Sequence, residues 1–219
     1  MEMRASPQRE KRSRRARAHR PGISAVLLAA GESSRFPGAK QLARIGGKTL
    51  VARTLDAIPV HGVRETVVVV GHEAEAVEAA AGRRDDVTCV VNASYRSGMG
   101  SSIRTGILAL AKETDGAMLV LADQPFVTRR LLRRMLRAFE KGGARGMVAA
   151  AQGDLVAPPV IFSRKYFAEL ANLRGDKGAR SVIERHKEDV TLVRVRSRRT
   201  LSDVDTKDDL EATRGLLEP

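Results

Sequence analysis

Residues 28 to 40 read Leu-Ala-Ala-Gly-Glu-Ser-Ser-Arg-Phe-Pro-Gly-Ala-Lys, directly after the apolar run Ile23 to Leu28. A buried strand is therefore expected to empty into a small-residue loop carrying two separated cations. Gly31 and Gly38 permit backbone angles that turn N–H groups towards an anion, Ser33 and Ser34 add hydroxyl donors, and Arg35 and Lys40 supply charge. Such a loop suits a triphosphate and points to a nucleotide-using enzyme.

Working outward, short β-rich runs alternate with helical stretches, with strands expected near 23–29, 66–71, 87–91, 117–122, 146–151, 158–163 and 190–196. Aromatic residues make up 3% of the chain and Trp is absent, so the core must come from Val, Leu, Ile and Ala, as in buried parallel strands. The expected fold is α/β, three layers with helices on both faces of a mostly parallel central sheet. In the clearest helix, Leu131, Leu132, Met135, Leu136 and Phe139 repeat at helical spacing behind a Thr128 cap, with Arg129, Arg130, Arg133, Arg134 and Arg137 on the solvated side. A last helix starts at Thr206, where Asp209 takes the place of the usual Glu of a capping box.

The formal net charge of +13 divides unevenly. Residues 1–20 hold eight Arg or Lys against Glu2 and Glu10 and show no apolar periodicity, so 1–22 reads as a disordered basic tail and 23–219 as one domain. With two Tyr and five Phe, the chain lacks the interleaving of aromatic and basic residues that stacks bases, which argues against a specific nucleic-acid binder. Neither a secretory apolar region nor a run of about 18 apolar residues is present, and the expected setting is soluble and cytoplasmic, with no membrane partner. Cys89 has no internal disulfide partner and lies in the apolar run Val87 to Val91, which reads as a buried, inert thiol.

Two familiar phosphate motifs fail. Gly47-Lys48-Thr49 ends like a P-loop, but its first Gly would fall on Leu42; Gly98-Met99-Gly100 starts like a dinucleotide fingerprint, but its third position is Ile103. Gly98 to Ser102 leads instead into an amphipathic helix, whose N-terminus would present free N–H groups with Ser101 or Ser102 capping. Asp123, ahead of Gln124-Pro125, stands where an apolar strand leaves the sheet, the edge at which open α/β sheets bind ligands. Asp203 and Asp205 precede the last helix, and a carboxylate from each cluster would suit Mg²⁺ bridging to a triphosphate.

Leu-Ala-Ala-Gly-x-Ser-x-Arg-Phe with Lys40, then Asp123-Gln124-Pro125, Gly175-Asp176-Lys177-Gly178-Ala179-Arg180 and Asp203-Val204-Asp205-Thr206, resemble the molybdenum cofactor cytidylyltransferases, within the molybdenum cofactor nucleotidyltransferase group of the GT-A-like fold. The match spans about residues 23 to 217. Two departures stand out. Ala157-Pro158-Pro159-Val160 replaces the Gly-His or Gly-Asn that more often precedes Pro-Val, and Ala30 stands where the guanylyltransferase branch usually has Gly, which favours CTP over GTP.

The resemblance implies transfer of CMP from CTP to the terminal phosphate of molybdopterin or molybdenum cofactor, with loss of pyrophosphate and possible delivery to a molybdoenzyme. Leu28, Ala29, Ala30, Gly31, Ser34, Gly100, Ser101 and Ser102 would line the nucleotide, Arg35 would hold the β and γ phosphates, and Lys40 the α-phosphate. Asp123 and Asp205 would hold Mg²⁺, and Gly175, Asp176, Gly178 and Arg180 the acceptor. The histidines have no assigned role. GTP, or a sugar phosphate or methylerythritol phosphate as acceptor, remains the alternative.

Overall fold

The computed structural model describes residues 21–33 and 35–217, so the expectations for the basic tail up to residue 20 and for Ser34 fall outside the described residues. One seven-stranded sheet runs in the order β5-β4-β1-β6-β8-β7-β9. Its members are β1 (Ile23–Ala29), β4 (Thr66–Val70), β5 (Val87–Val91), β6 (Gly116–Leu121), β7 (Met147–Gln152), β8 (Leu155–Ser163) and β9 (Val190–Arg194). All pairings are parallel except the two made by β8. A small hairpin, β2 (Arg44–Ile45) with β3 (Lys48–Thr49), turns through Gly46 and Gly47, both at positive φ, which accounts for the glycine pair that mimics a P-loop.

Strand alternation splits the core in two. Ala25, Leu27 and Ala29 of β1 face α1 (Leu50–Ala57), α2 (Ala74–Ala81) and α4 (Arg129–Lys141). Val26 and Ala30 face α3 (Met99–Ala109), α5 (Phe167–Ala171) and the short helix α6 (Arg180–Arg185). The five apolar residues expected on α4 are all buried, and its five arginines are exposed. Leu132 and Met135 have no accessible surface, so truncating either to Ala would cost roughly 2–5 kcal/mol. Helix α3 sits close on the sheet because Gly106 has no side chain; a Cβ there would stand 2.3 Å from Val26 Cγ1.

Cys89 is only half-buried, because β5 is an edge strand and leaves Val91 63% exposed. Desolvation, then the charge of Glu78, raises the thiol's pKa and keeps it protonated. No helix among the described residues is long and apolar enough to cross a membrane.

Glu169 on α5 ties that helix to the end of α6, accepting from Arg185 Nε at 2.7 Å with its other oxygen 2.9 Å from His186 Nε2. Partial burial opposes ionisation, but the hydrogen bonds from Arg185 and His186 outweigh it and lower the carboxyl's pKa. A lowered pKa means the stabilisation is present above the unfolded value of about 4.3 and is lost as pH falls through the folded value. Glu169→Gln should therefore lower Tm at pH 7 by the equivalent of at most about 1 kcal/mol and leave it unchanged near pH 2, as thermal melts at the two pH values will show.

Candidate active site

The chain leaves β1, builds β4 and β5 on one side, and returns to lay β6 on the other, so a crevice opens at the carboxyl ends of β1 and β6. The 28–40 loop springs from one wall and Asp123 from the other. Ser33 takes φ 59° and its Oγ accepts from the Lys40 backbone N–H at 3.4 Å, while Gln41 Nε2 donates to Gly31 O at 2.9 Å. These bonds fold the loop back so that Lys40 points across the crevice.

Lys40 Nζ lies 2.6 Å from Asp123 Oδ2 and 2.9 Å from Asp205 Oδ1, and Arg35 Nη2 lies 2.9 Å from Asp205 Oδ2. Residues 35, 40, 123 and 205 thus converge. The Asp205 segment is placed by two local devices. Val204 N–H bonds Asp123 O at 2.9 Å, and Asp209 Oδ2 accepts from the N–H groups of Asp205 and Thr206, closing the anticipated capping box at the start of α7 (Lys207–Leu217).

Burial works against the Lys40 charge, but Asp123 and Asp205 together reverse that effect and raise its pKa. The hydrogen bond from Lys40 lowers the Asp205 pKa. Asp203 is exposed as a residue, yet desolvation of its carboxyl by the surrounding chain and then the negative charge of Asp123 push its pKa up to about 6.

Asp123 Oδ1 is buried without a hydrogen-bond partner, an orphan acceptor next to a second carboxylate. Hard oxygen donors of this kind fit Mg²⁺. Among the described residues no three His, Cys, Asp or Glu side chains are grouped to hold a metal, so the remaining positions would fall to phosphate and water.

Leu28, Ala30, Gly31, Lys40, Ser102 and Asp123 line one pocket, together with Gly98 and Met99 of the stretch that leads into α3 and with Gln41 and Tyr95, which the sequence reading did not single out. Two expected nucleotide contacts and the expected helix cap need correction. Ala29 is turned by strand alternation into the core on the opposite face. Gly100 gives its N–H to Gly175 O at 3.0 Å, so that donor is spent. Neither serine caps the helix. Gly98 is the N-cap, and Ser101 Oγ donates to the carbonyl oxygens of Ser94 or Gly98.

The acceptor segment divides. A Cβ on Gly98 would meet Gly175 C at 2.3 Å and Asp176 Oδ1 at 2.6 Å, and one on Gly178 would meet Met99 Sδ at 3.0 Å, so Gly175, Asp176 and Gly178 pack against the pocket's rim. Arg180 is 78% exposed, pairs with Glu184 one turn along at 2.8 Å, and borders a separate groove with Leu155, Ile183 and Lys187.

A mostly parallel sheet with a cationic loop and two carboxylates at its switch point defines a nucleotidyltransferase class of α/β protein. The chain belongs to the MobA-like NTP transferase domain family, whose model matches residues 25–190. Nicotine blue oxidoreductase of Paenarthrobacter nicotinovorans is 33% identical over 195 residues, covering 85% of this chain and 93% of the relative. The bifunctional protein GlmU of Sinorhizobium medicae is 31% identical over 142 residues, 64% of this chain but only 30% of that longer protein. Among solved structures, Rv0371c of Mycobacterium tuberculosis H37Rv is 32% identical with a TM-score of 0.78, covering 90% of this chain and 99% of that one. The same protein solved as a complex with manganese is 31% identical with a TM-score of 0.71, covering 91% and 99%.

Proposed function

We propose that this chain transfers CMP from CTP to the terminal phosphate of molybdopterin or molybdenum cofactor and releases pyrophosphate. The observation that carries the transfer is Lys40 held between Asp123 and Asp205 at the mouth of the pocket. An acceptor phosphate monoester has a second pKa near about 6 and is already nucleophilic at neutral pH, so no protein base is required. Binding of the triphosphate would draw Lys40 from its carboxylates to the α-phosphate, where it neutralises charge as the bond to the leaving pyrophosphate breaks. Arg35, 70% exposed on its side chain, is free to swing from Asp205 to the β and γ phosphates. Mg²⁺, held by Asp123 and Asp205, would neutralise charge on the phosphate oxygens.

For the base, Ala30 lines the pocket where the guanylyltransferase branch has the smaller Gly, which supports CTP over GTP. Steady-state pyrophosphate release with molybdopterin should give a higher kcat/KM for CTP; a higher value for GTP would move the chain to the guanylyltransferase reading. The identity with nicotine blue oxidoreductase supports a second reading, an oxidoreductase. Redox turnover without any nucleotidyl transfer would favour it.

For the acceptor, Gly175, Asp176 and Gly178 at the rim support a site on that side of the pocket. Arg180 would leave its exposed bond with Glu184 to present a planar fork to the cofactor. Arg180→Lys should raise the KM for the pterin and leave that for CTP nearly unchanged; equal movement of both constants, or of neither, would remove Arg180 from the acceptor site.

A further inference from the structure

Asn92 follows β5 at the same end of the sheet as Asp123 and is 3% exposed, a buried polar side chain that borders a neighbouring groove with Ser94, Ser101 and Gly175. Its Oδ1 accepts from the Ser94 N–H at 3.0 Å, which decides which way the amide faces. Nδ2 is left to donate to both serines of the α3 first turn, at 2.8 Å to Ser101 Oγ and 3.0 Å to Ser102 Oγ.

The two hydroxyls receive the same donor but use their own protons differently. Ser101 gives its proton to Ser94 O at 3.0 Å or Gly98 O at 2.8 Å. The Ser102 proton meets no acceptor in the hydrogen bonds of the described residues, and Ser102, 7% exposed, lines the pocket beside Ala30 and Tyr95.

We infer that Asn92 is a positioning residue which, by occupying a lone pair of Ser102 Oγ, presents that hydroxyl to the base of the bound nucleotide as a donor. It thereby selects a base whose buried edge carries acceptors, as the O2 and N3 edge of cytosine does. The inference rests on the reading that this pocket holds the nucleotide. An amide at position 92 and a carboxylate there have nearly the same shape but opposite effects on the serine. An Asp would still accept from the Ser94 N–H, yet its other oxygen would take the Ser102 proton and leave only lone pairs facing the base.

The test is calorimetric titration of the full chain with CTP and Mg²⁺, alongside inorganic tripolyphosphate as a probe with no base. Asn92→Asp should weaken CTP binding about tenfold, in line with the loss of one hydrogen bond to a buried group, and leave tripolyphosphate binding unchanged. The KM for CTP should rise by the same factor with kcat at saturation nearly constant. Ser102→Ala should give the same loss, and the double variant should be no worse than either single one. Unchanged CTP binding by Asn92→Asp would overturn the inference, as would an equal loss for tripolyphosphate, which would mark Asn92 as a structural support only. Failure of the wild type to bind any nucleoside triphosphate would overturn the nucleotide reading of the pocket and this inference with it.

Discussion

Asp123→Asn is expected to keep the fold and lower turnover by at least roughly 10²-fold, about 2.7 kcal/mol of barrier. The fold should survive because the backbone carbonyl of Asp123, not its side chain, takes the Val204 N–H that fastens the Asp205 segment. What the amide cannot replace is the anionic oxygen pair: Oδ2 against Lys40 at 2.6 Å, and Oδ1, buried and without a partner. Circular dichroism and initial rates on the purified variant check both halves. A near-normal rate would remove Asp123 from the site.

Lys40→Met should be more damaging, by about 10²- to 10³-fold in kcat, the range found when one preorganised donor to a developing anion is lost. It should also destabilise the resting protein. Lys40 is the cation between Asp123 and Asp205, and without it those carboxylates and the nearby Asp203, whose pKa is already pushed up to about 6, repel one another. Mg²⁺ should therefore raise the Tm of Lys40→Met by more than it raises that of the wild type, while the rate stays low. Recovery of the rate with Mg²⁺ alone would show that Lys40 serves only as a counter-ion.

The parts of this architecture that depend on local pattern were legible in the sequence. The apolar runs of β1, β4, β5 and β6 fall within a residue of the expected strands, and the Thr206–Asp209 box closes as its residue types require. The parts that depend on long-range pairing were not. Strand β8 begins at Leu155 rather than near 158 and carries Pro158 and Pro159 in its interior. In the fold, an irregularity in β8, where Val160 lies opposite Ala149 and Ala157 opposite Ala150, leaves the two prolines outside the ladder.

The site shows the same division. Lys40, Asp123 and Asp205 announced themselves through charge at strand and helix ends, whereas Gln41, Tyr95 and Asn92 had no such signal. Asn92 after an apolar run reads as a turn residue, although the rule that singled out Asp123, a polar side chain at the carboxyl end of a parallel strand, applies equally to it. Spacing alone could not show that the Gly100 N–H is consumed by Gly175 or that Arg180 folds back onto Glu184.

Incubation of the full chain with Mg²⁺, molybdopterin and CTP carrying a label on its α-phosphate tests the proposed reaction most directly. The expected result is transfer of the label to the pterin, with one pyrophosphate released for each label transferred. Label that stays in CTP, or leaves as free CMP with the pterin unchanged, would contradict it.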